Sequence, residues 1–226
     1  MKLKPFVALL ALPLLAACAP EVESTVYLAD VQTALDKGEA VSVPALLRIP
    51  QGGEDDCKKG LDALVAKLKA LAPVTGKAQC ISKDQHGQGT QLAEVETAVQ
   101  IVPAGKTVAG PNLFVIEAAA KDGKTGLSFR MLKPIGEVIK AVQAEDSMQV
   151  DFDPSFFILS LNNDSAGPVN VDLANVYVEG KPMVPENATP VTLERRGSVE
   201  IRFSDVASSY VEAGNSYFFA SFGPKA

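Results

Sequence analysis

The chain has no tryptophan, a single histidine and only three cysteines among its 226 residues. Each shortage closes a route. One histidine and so few cysteines leave a tetrahedral zinc site short of ligands. A Ser-His-Asp arrangement would have to use His86 as its base, yet Ser82 and Asp84 stand too close to it along the chain. No G-x-S-x-G elbow is present either. The longest apolar run, Phe6 to Ala17, is too short to cross a hydrocarbon layer of about 30 Å as a helix. No run of Lys or Arg offsets a formal charge of −6, which argues against nucleic acid and against electrostatic adhesion to anionic headgroups.

What the N-terminus does contain is informative. Lys2 and Lys4, then the apolar run ending in small residues, read as a secretory signal over residues 1–17. Leu15-Ala16-Ala17-Cys18 closes it. This tetrad resembles the bacterial lipobox, in which the leader is removed and the new N-terminal cysteine is acylated. The resemblance implies a lipid anchor on Cys18, with Ala19 behind it pointing to the outer membrane, facing the periplasm. Ala17-Cys18-Ala19 also fits ordinary signal cleavage, which would release a soluble protein.

Without residues 1–17 the chain has 19 basic and 27 acidic residues, a formal charge of −8. Cys57 and Cys80 then remain as a pair in an oxidising compartment. Residues 57–72 place Leu61, Leu64, Val65, Leu68 and Leu71 on one helical stripe, with Asp55 and Asp56 before it and Pro73 after it. Such a helix climbs about 24 Å, and a strand from Val74 to Cys80 returns about 23 Å. The two sulfurs are therefore expected to meet near the helix start as a disulfide. A metal pair or a redox dithiol are the rivals, but neither a C-x-x-C spacing nor a neighbouring histidine supports them.

Along the chain, residues 18–26 read as a lipid-anchored tether. A short helix follows from Tyr27 to Gly38, then a strand from Ala40 to Ile49, the cysteine-closed helix, and a polar loop from Lys83 to Gly89. A strand over about 91–102 comes next. Asn112–Ala120 and Gly126–Leu132 form a hairpin around Asp122-Gly123, and a helix opens at Lys133-Pro134 with Ile135, Val138, Ile139 and Val142 on one face. Residues 27–145 are thus expected to form an α+β domain, an antiparallel sheet with packed helices. From 146 to 226 the apolar stretches at Phe156–Leu161, Val169–Val178, Val191–Leu193, Val199–Phe203 and Ser216–Phe222 are short and turn-bounded, with a helix between Ser204 and Gly214. This spacing predicts a small β-sandwich-like domain. It resembles immunoglobulin-like modules, although the Cys…Trp…Cys core of that fold is missing.

Other motifs have plainer explanations. Gly105-Lys106-Thr107 and Gly123-Lys124-Thr125 lack the earlier glycine of a phosphate loop, since Gln100 and Ala118 stand there, and both read as hairpin turns. Asp151, Asp153 and Asn162-Asn163-Asp164 offer oxygen ligands without a twelve-residue calcium loop, so turn chemistry and strand exposure account for them. Arg195, Arg196 and Arg202 form the densest basic spot and read as an exposed hairpin end. Lys58, Lys59, Lys67 and Lys69 are a solvated helix face.

The lipobox, Val26-Tyr27-Leu28-x-Asp30, the helix bracketed by Cys57 and Cys80, and the stretch from Asn162-Asn163-Asp164-Ser165 to Ser204-Asp205-Val206 together resemble uncharacterised small lipoproteins of bacteria and prophages. No catalytic, cofactor-binding or metal residue is assigned. The expectation is a non-enzymatic, lipid-anchored envelope lipoprotein that binds another envelope protein. The alternatives are a phage-derived lipoprotein that blocks infection by occupying an outer-membrane receptor, and an envelope hydrolase working through carboxylates. The hydrolase predicts a cleft with a carboxyl of raised pKa.

Overall fold

The structure is a computed structural model that describes residues 20–85, 88–133, 157–184 and 190–223. The lipobox with Cys18, His86, the helix read from Lys133-Pro134, and Asp151 and Asp153 lie at or beyond the edges of these segments, outside the described residues apart from Lys133. The described chain is mostly β, with thirteen strands in one mixed sheet and three short helices.

The elements arise from alternation and caps. Strand β1, Glu21–Tyr27, buries Val22, Ser24 and Val26 and turns Glu21, Glu23 and Thr25 outward. Helix α1, Leu28–Lys37, buries Leu28, Val31 and Ala34 and ends at Gly38, whose φ of 64° is the left-handed conformation glycine reaches without a Cβ clash. Then come β2 (Val41–Gln51), α2 (Glu54–Leu68), β3 (Ala78–Gln85) and β4 (Gln88–Pro103). Strands β5 (Phe114–Lys121) and β6 (Lys124–Met131) are joined through Asp122 and Gly123, both at positive φ, as a two-residue hairpin requires. The remaining elements are β7 (Phe157–Asn162), β8 (Val169–Leu173), β9 (Val176–Val178), β10 (Lys181–Met183), β11 (Val191–Leu193), β12 (Ser198–Phe203), α3 (Asp205–Glu212) and β13 (Ser216–Gly223).

In space the strands run β10-β9-β12-β7-β1-β2-β4-β5-β6-β13-β8-β11, with β3 added to β4. Pairing is antiparallel except for β1 with β7 and β4 with β5. Taking the start of β1 as the lower end, β4, β5, β7, β9, β11 and β13 also run upward, and the others run down. The sheet curls so that its two arms meet across one core. Phe129 of β6 lies 4.5 Å from Phe157 of β7 and 5.3 Å from Phe203 of β12, between ring centroids. Phe203 in turn meets Phe219 of β13 edge-on at 5.6 Å. Helix α1 covers the upper end of this core through Val31 and Ala34. Helix α3 covers the lower end through Ala207 and Val211, capped by Ser204 Oγ, which accepts from the Ala207 N–H at 3.2 Å.

Several boundaries differ from the sequence expectations. The tether expected over 18–26 is in large part β1: Val22, Ser24 and Val26 have period two, and β2 and β7 supply partners on both sides. Strands from 157 onward do not stand apart from those before 145. β7 and β12 extend the sheet beyond β1, whereas β13, β8 and β11 extend it beyond β6, so both parts of the chain share one sheet and one core. Helix α2 starts at Glu54, because its acids favour the positive end of the helix dipole from inside the first turn. The Lys83–Gly89 segment is largely strand: β3 and β4 pair as far as Gln85 and Gln88. Gly105 lies in the connection between parallel β4 and β5, so it is no hairpin turn. Nor do Arg195 and Arg196 end a hairpin, since β11 and β12 belong to opposite arms.

The expected disulfide is present. Cys57 and Cys80 are bonded with a Cα–Cα distance of 6.0 Å, across 23 residues. It ties the start of α2 to β3, and Leu64 and Leu68 pack the rest of the helix into the core. Replacing Cys57 with serine is expected to cost about 3 kcal/mol by the chain-entropy argument. A urea titration of oxidised native and Cys57→Ser protein measures this; equal midpoints would refute it.

Candidate functional site

The upper end of the sheet carries a cleft of about 690 Å³. Its walls come from the C-terminal ends of upward strands and the segments next to them: α1 after β1, the 163–169 loop after β7, the turn after β5, and the end of β13. Leu28 and Phe222 give it a buried apolar floor, beside Pro168 and Val169. Gln32, Thr33, Asp36, Thr125, Asp164 and Ser165 supply polar groups. Among the described residues no basic side chain lines it, and both charged lining residues are acids.

The 163–169 loop is held by one buried side chain. Asn163 is fully shielded from solvent. Its Nδ2 donates to the Gly167 carbonyl at 2.9 Å and the Leu193 carbonyl at 2.8 Å, and its Oδ1 accepts from the Ser165 N–H at 3.0 Å. Its backbone is engaged as well: its N–H donates to the Gly197 carbonyl and its carbonyl accepts from the Arg196 N–H. The neighbouring Asp164 reaches α1, where its Oδ1 accepts from the Ala29 N–H at 3.0 Å. Helix α1 has no side-chain cap of its own at Tyr27, so this residue 135 positions away satisfies one of its open donors and sits at the positive end of its dipole. Asp36 accepts from Gln32 Nε2 at 2.7 Å, one turn along. The cleft wall is therefore formed before anything binds.

Asp30, in the first turn of α1, has its carboxyl pushed up, first by burial and then by the charge of Asp164, against a lowering hydrogen bond from the Tyr27 backbone. Asp30 thus feels the charge of Asp164, which lines the cleft.

A second charged group lies on the outer face of β1, β2, β4 and β3. Arg48, nearly buried, donates to Glu23 at 2.6 Å, Glu94 at 2.8 Å and Glu21 at 3.3 Å, and Lys83 reaches Glu21 at 2.6 Å. Burial alone would raise the Glu21 carboxyl, but Lys83 and Arg48 outweigh it and hold it below the ordinary value. Burial opposes ionisation of Glu94 in the same way, and Gln79, Arg48 and Lys83 again prevail. Two cations face three carboxylates in this network, and it fastens β1 to the sheet.

Of the residues singled out in the sequence, Cys57 and Cys80 are brought together, Asn163 and Asp164 build the cleft wall, and Arg195–Arg196 is kept apart from Arg202. Arg202 pairs with Glu200 near the other end of β12. Arg48 and its carboxylates were not picked out, although Glu21-x-Glu23 opposite a lone Arg in a strand is the signal that would have found them. The cleft was not legible at all, because its walls come from four separated stretches.

Residues 20–224 match the model of a family described as Domain of unknown function (DUF7424). The chain belongs to this family. The match spans every strand and helix described above, so the curled sheet and both of its end helices lie inside the family unit. No curated protein and no solved structure matches the chain.

Proposed function

We propose that the protein is a lipid-anchored envelope lipoprotein that binds another envelope protein through the upper cleft. The observation that carries this reading is the cleft itself, preformed and set at the end of β1 opposite Cys18. A seven-residue strand separates the two ends by roughly 20 Å, which places the cleft away from an acylated N-terminus. Most of its polar groups are engaged in holding its own walls, so a partner meets a fixed surface. The acidic rim over an apolar floor favours a neutral or cationic segment carrying an apolar side chain.

Chemical crosslinking in intact cells, followed by capture and mass spectrometry, tests it by comparing the native chain with Cys18→Ala. One dominant envelope partner should be recovered with the native chain and lost with the unanchored variant. Recovery of the same abundant bystanders from both would count against the proposal.

A carboxylate-dependent envelope hydrolase is the second reading, and one observation favours it: the carboxyl of Asp30, next in the chain to cleft residue Ala29, is raised by burial and by the charge of cleft residue Asp164. It requires release of glycan fragments from cell-wall material that disappears in Asp30→Asn. No release from the native chain would eliminate it.

A further inference from the structure

We infer that the lower end of the molecule, which carries α3, rests on the bilayer surface and takes phospholipid headgroups and the upper acyl region as its partner. This rests on the reading of Cys18 as the acylated residue, and it adds an orientation that the anchor alone does not impose.

The argument starts from reach. Cys18 precedes Glu21 by three residues, which span at most about 11 Å fully extended. Glu21 is already in a strand of the central sheet, paired with Arg48. An acyl chain on Cys18 therefore holds the lower rim within about one headgroup layer of the membrane, with no long linker to let the domain turn over.

Three exposed apolar side chains, Val184, Val206 and Tyr210, lie at that rim. Register fixes their height: Glu23 is level with Ile158 of β7, and Ile158 with Arg202 of β12. Two positions further down β12, Ser204 caps α3 at the level of the first residue of β1, and β12 is only two strand spacings, about 10 Å, from β1. On α3, Ala207 and Val211 face the core, whereas Val206 and Tyr210, one turn apart, are 79% and 49% exposed. Tyr210 stacks edge-on against Tyr217, whose hydroxyl donates to the Asn175 carbonyl, and the Asn175 N–H donates to the Met183 carbonyl beside exposed Val184. Of the six large apolar side chains that are exposed among the described residues, only Tyr27 stands at the upper end. An aromatic ring with a polar tip beside an aliphatic side chain suits the interface between headgroups and acyl chains. Helix α3 has no Lys or Arg, so the contact is apolar and does not depend on anionic lipid.

The native chain holds its own comparison. Tyr27 and Tyr210 are similarly exposed, 43% and 49%, at opposite ends. Mature protein from cells, its Cys18 acylation checked by intact mass, is bound to phosphatidylcholine vesicles and footprinted with hydroxyl radicals, with Cys18→Ala free in solution as reference. Oxidation of Tyr210 should fall several-fold on vesicles while that of Tyr27 stays unchanged. Acylated protein in which both tyrosines react as in solution would overturn the orientation and leave the anchor standing. Absence of acyl mass on Cys18 would remove the anchoring reading, and this inference with it. In a second measurement Val206→Trp, the sole tryptophan of such a chain, should blue-shift and be quenched by brominated phosphatidylcholine; Glu39→Trp at the upper end should do neither.

Discussion

Arg48→Ala is expected to cost about 3 kcal/mol of folding stability at neutral pH, because it leaves shielded Glu94 without its paired cation and Glu21 with Lys83 alone, rather than merely deleting a contact. Glu21 and Glu94 are both largely shielded, with side chains 15% and 13% exposed, whereas Glu23 is solvated and adds little. The pH dependence separates this cause from lost packing. Both buried carboxyls sit below their ordinary value of 4.5 in the folded protein, so the native state binds fewer protons than the unfolded chain. Their contribution is fully present above that value and is lost as pH falls through the folded pKa. Without the guanidinium, burial is less well opposed and their pKa values rise toward or above the ordinary range. The gap between native and variant should therefore be widest near pH 7 and shrink below about pH 4.5. Urea titrations across this range measure it. A gap that is constant with pH would assign the loss to packing alone.

Asn163→Ala is expected to lower stability by about 2–4 kcal/mol and to weaken partner capture through the cleft. Alanine leaves the Leu193 carbonyl without the amide donor, leaves the Gly167 carbonyl with Ser165 Oγ in place of two donors, and removes the acceptor of the Ser165 N–H. The 163–169 loop then keeps only its backbone bonds to the 194–197 turn, and Asp164 is held less firmly over α1. Asp164→Asn provides the contrast: the side chain can still accept from the Ala29 N–H, so the wall should stand with only its charge removed. A urea midpoint for Asn163→Ala equal to that of native protein would show that the side chain is dispensable.

Local signals were read well from the sequence where one stretch of chain determines the outcome. Leu28 to Gly38, the Asp122-Gly123 turn and the Ser204 cap each carry their own instruction, and each forms as expected. The Cys57–Cys80 pairing was also legible, although the expected helix to residue 72 and strand from Val74 differ from what forms: α2 ends at Leu68 and β3 begins at Ala78. Residues 19–26 were misread because Glu21 and Glu23 look solvated, and only the acceptance of β1 between β2 and β7 makes their alternation a buried strand's. The separate sandwich expected after 146 ran into the same limit. Short alternating strands do not encode which edge they join, and here they divide between two arms of one sheet. For the cleft, Asn163 and Asp164 were noticed as turn formers, yet their partners lie between 2 and 135 residues away.

The measurement that bears most directly on the account is site-resolved photocrosslinking in intact cells. A photoreactive residue at Gln32 in the cleft is compared with one at Lys59 on the solvated side of α2, and with Gln32 again in a Thr33→Arg background that fills the cleft with a cation. The account predicts one envelope protein crosslinked from Gln32, absent from Lys59 and lost with Thr33→Arg. The same partner captured equally from Lys59, or retained when the cleft is filled, would contradict it.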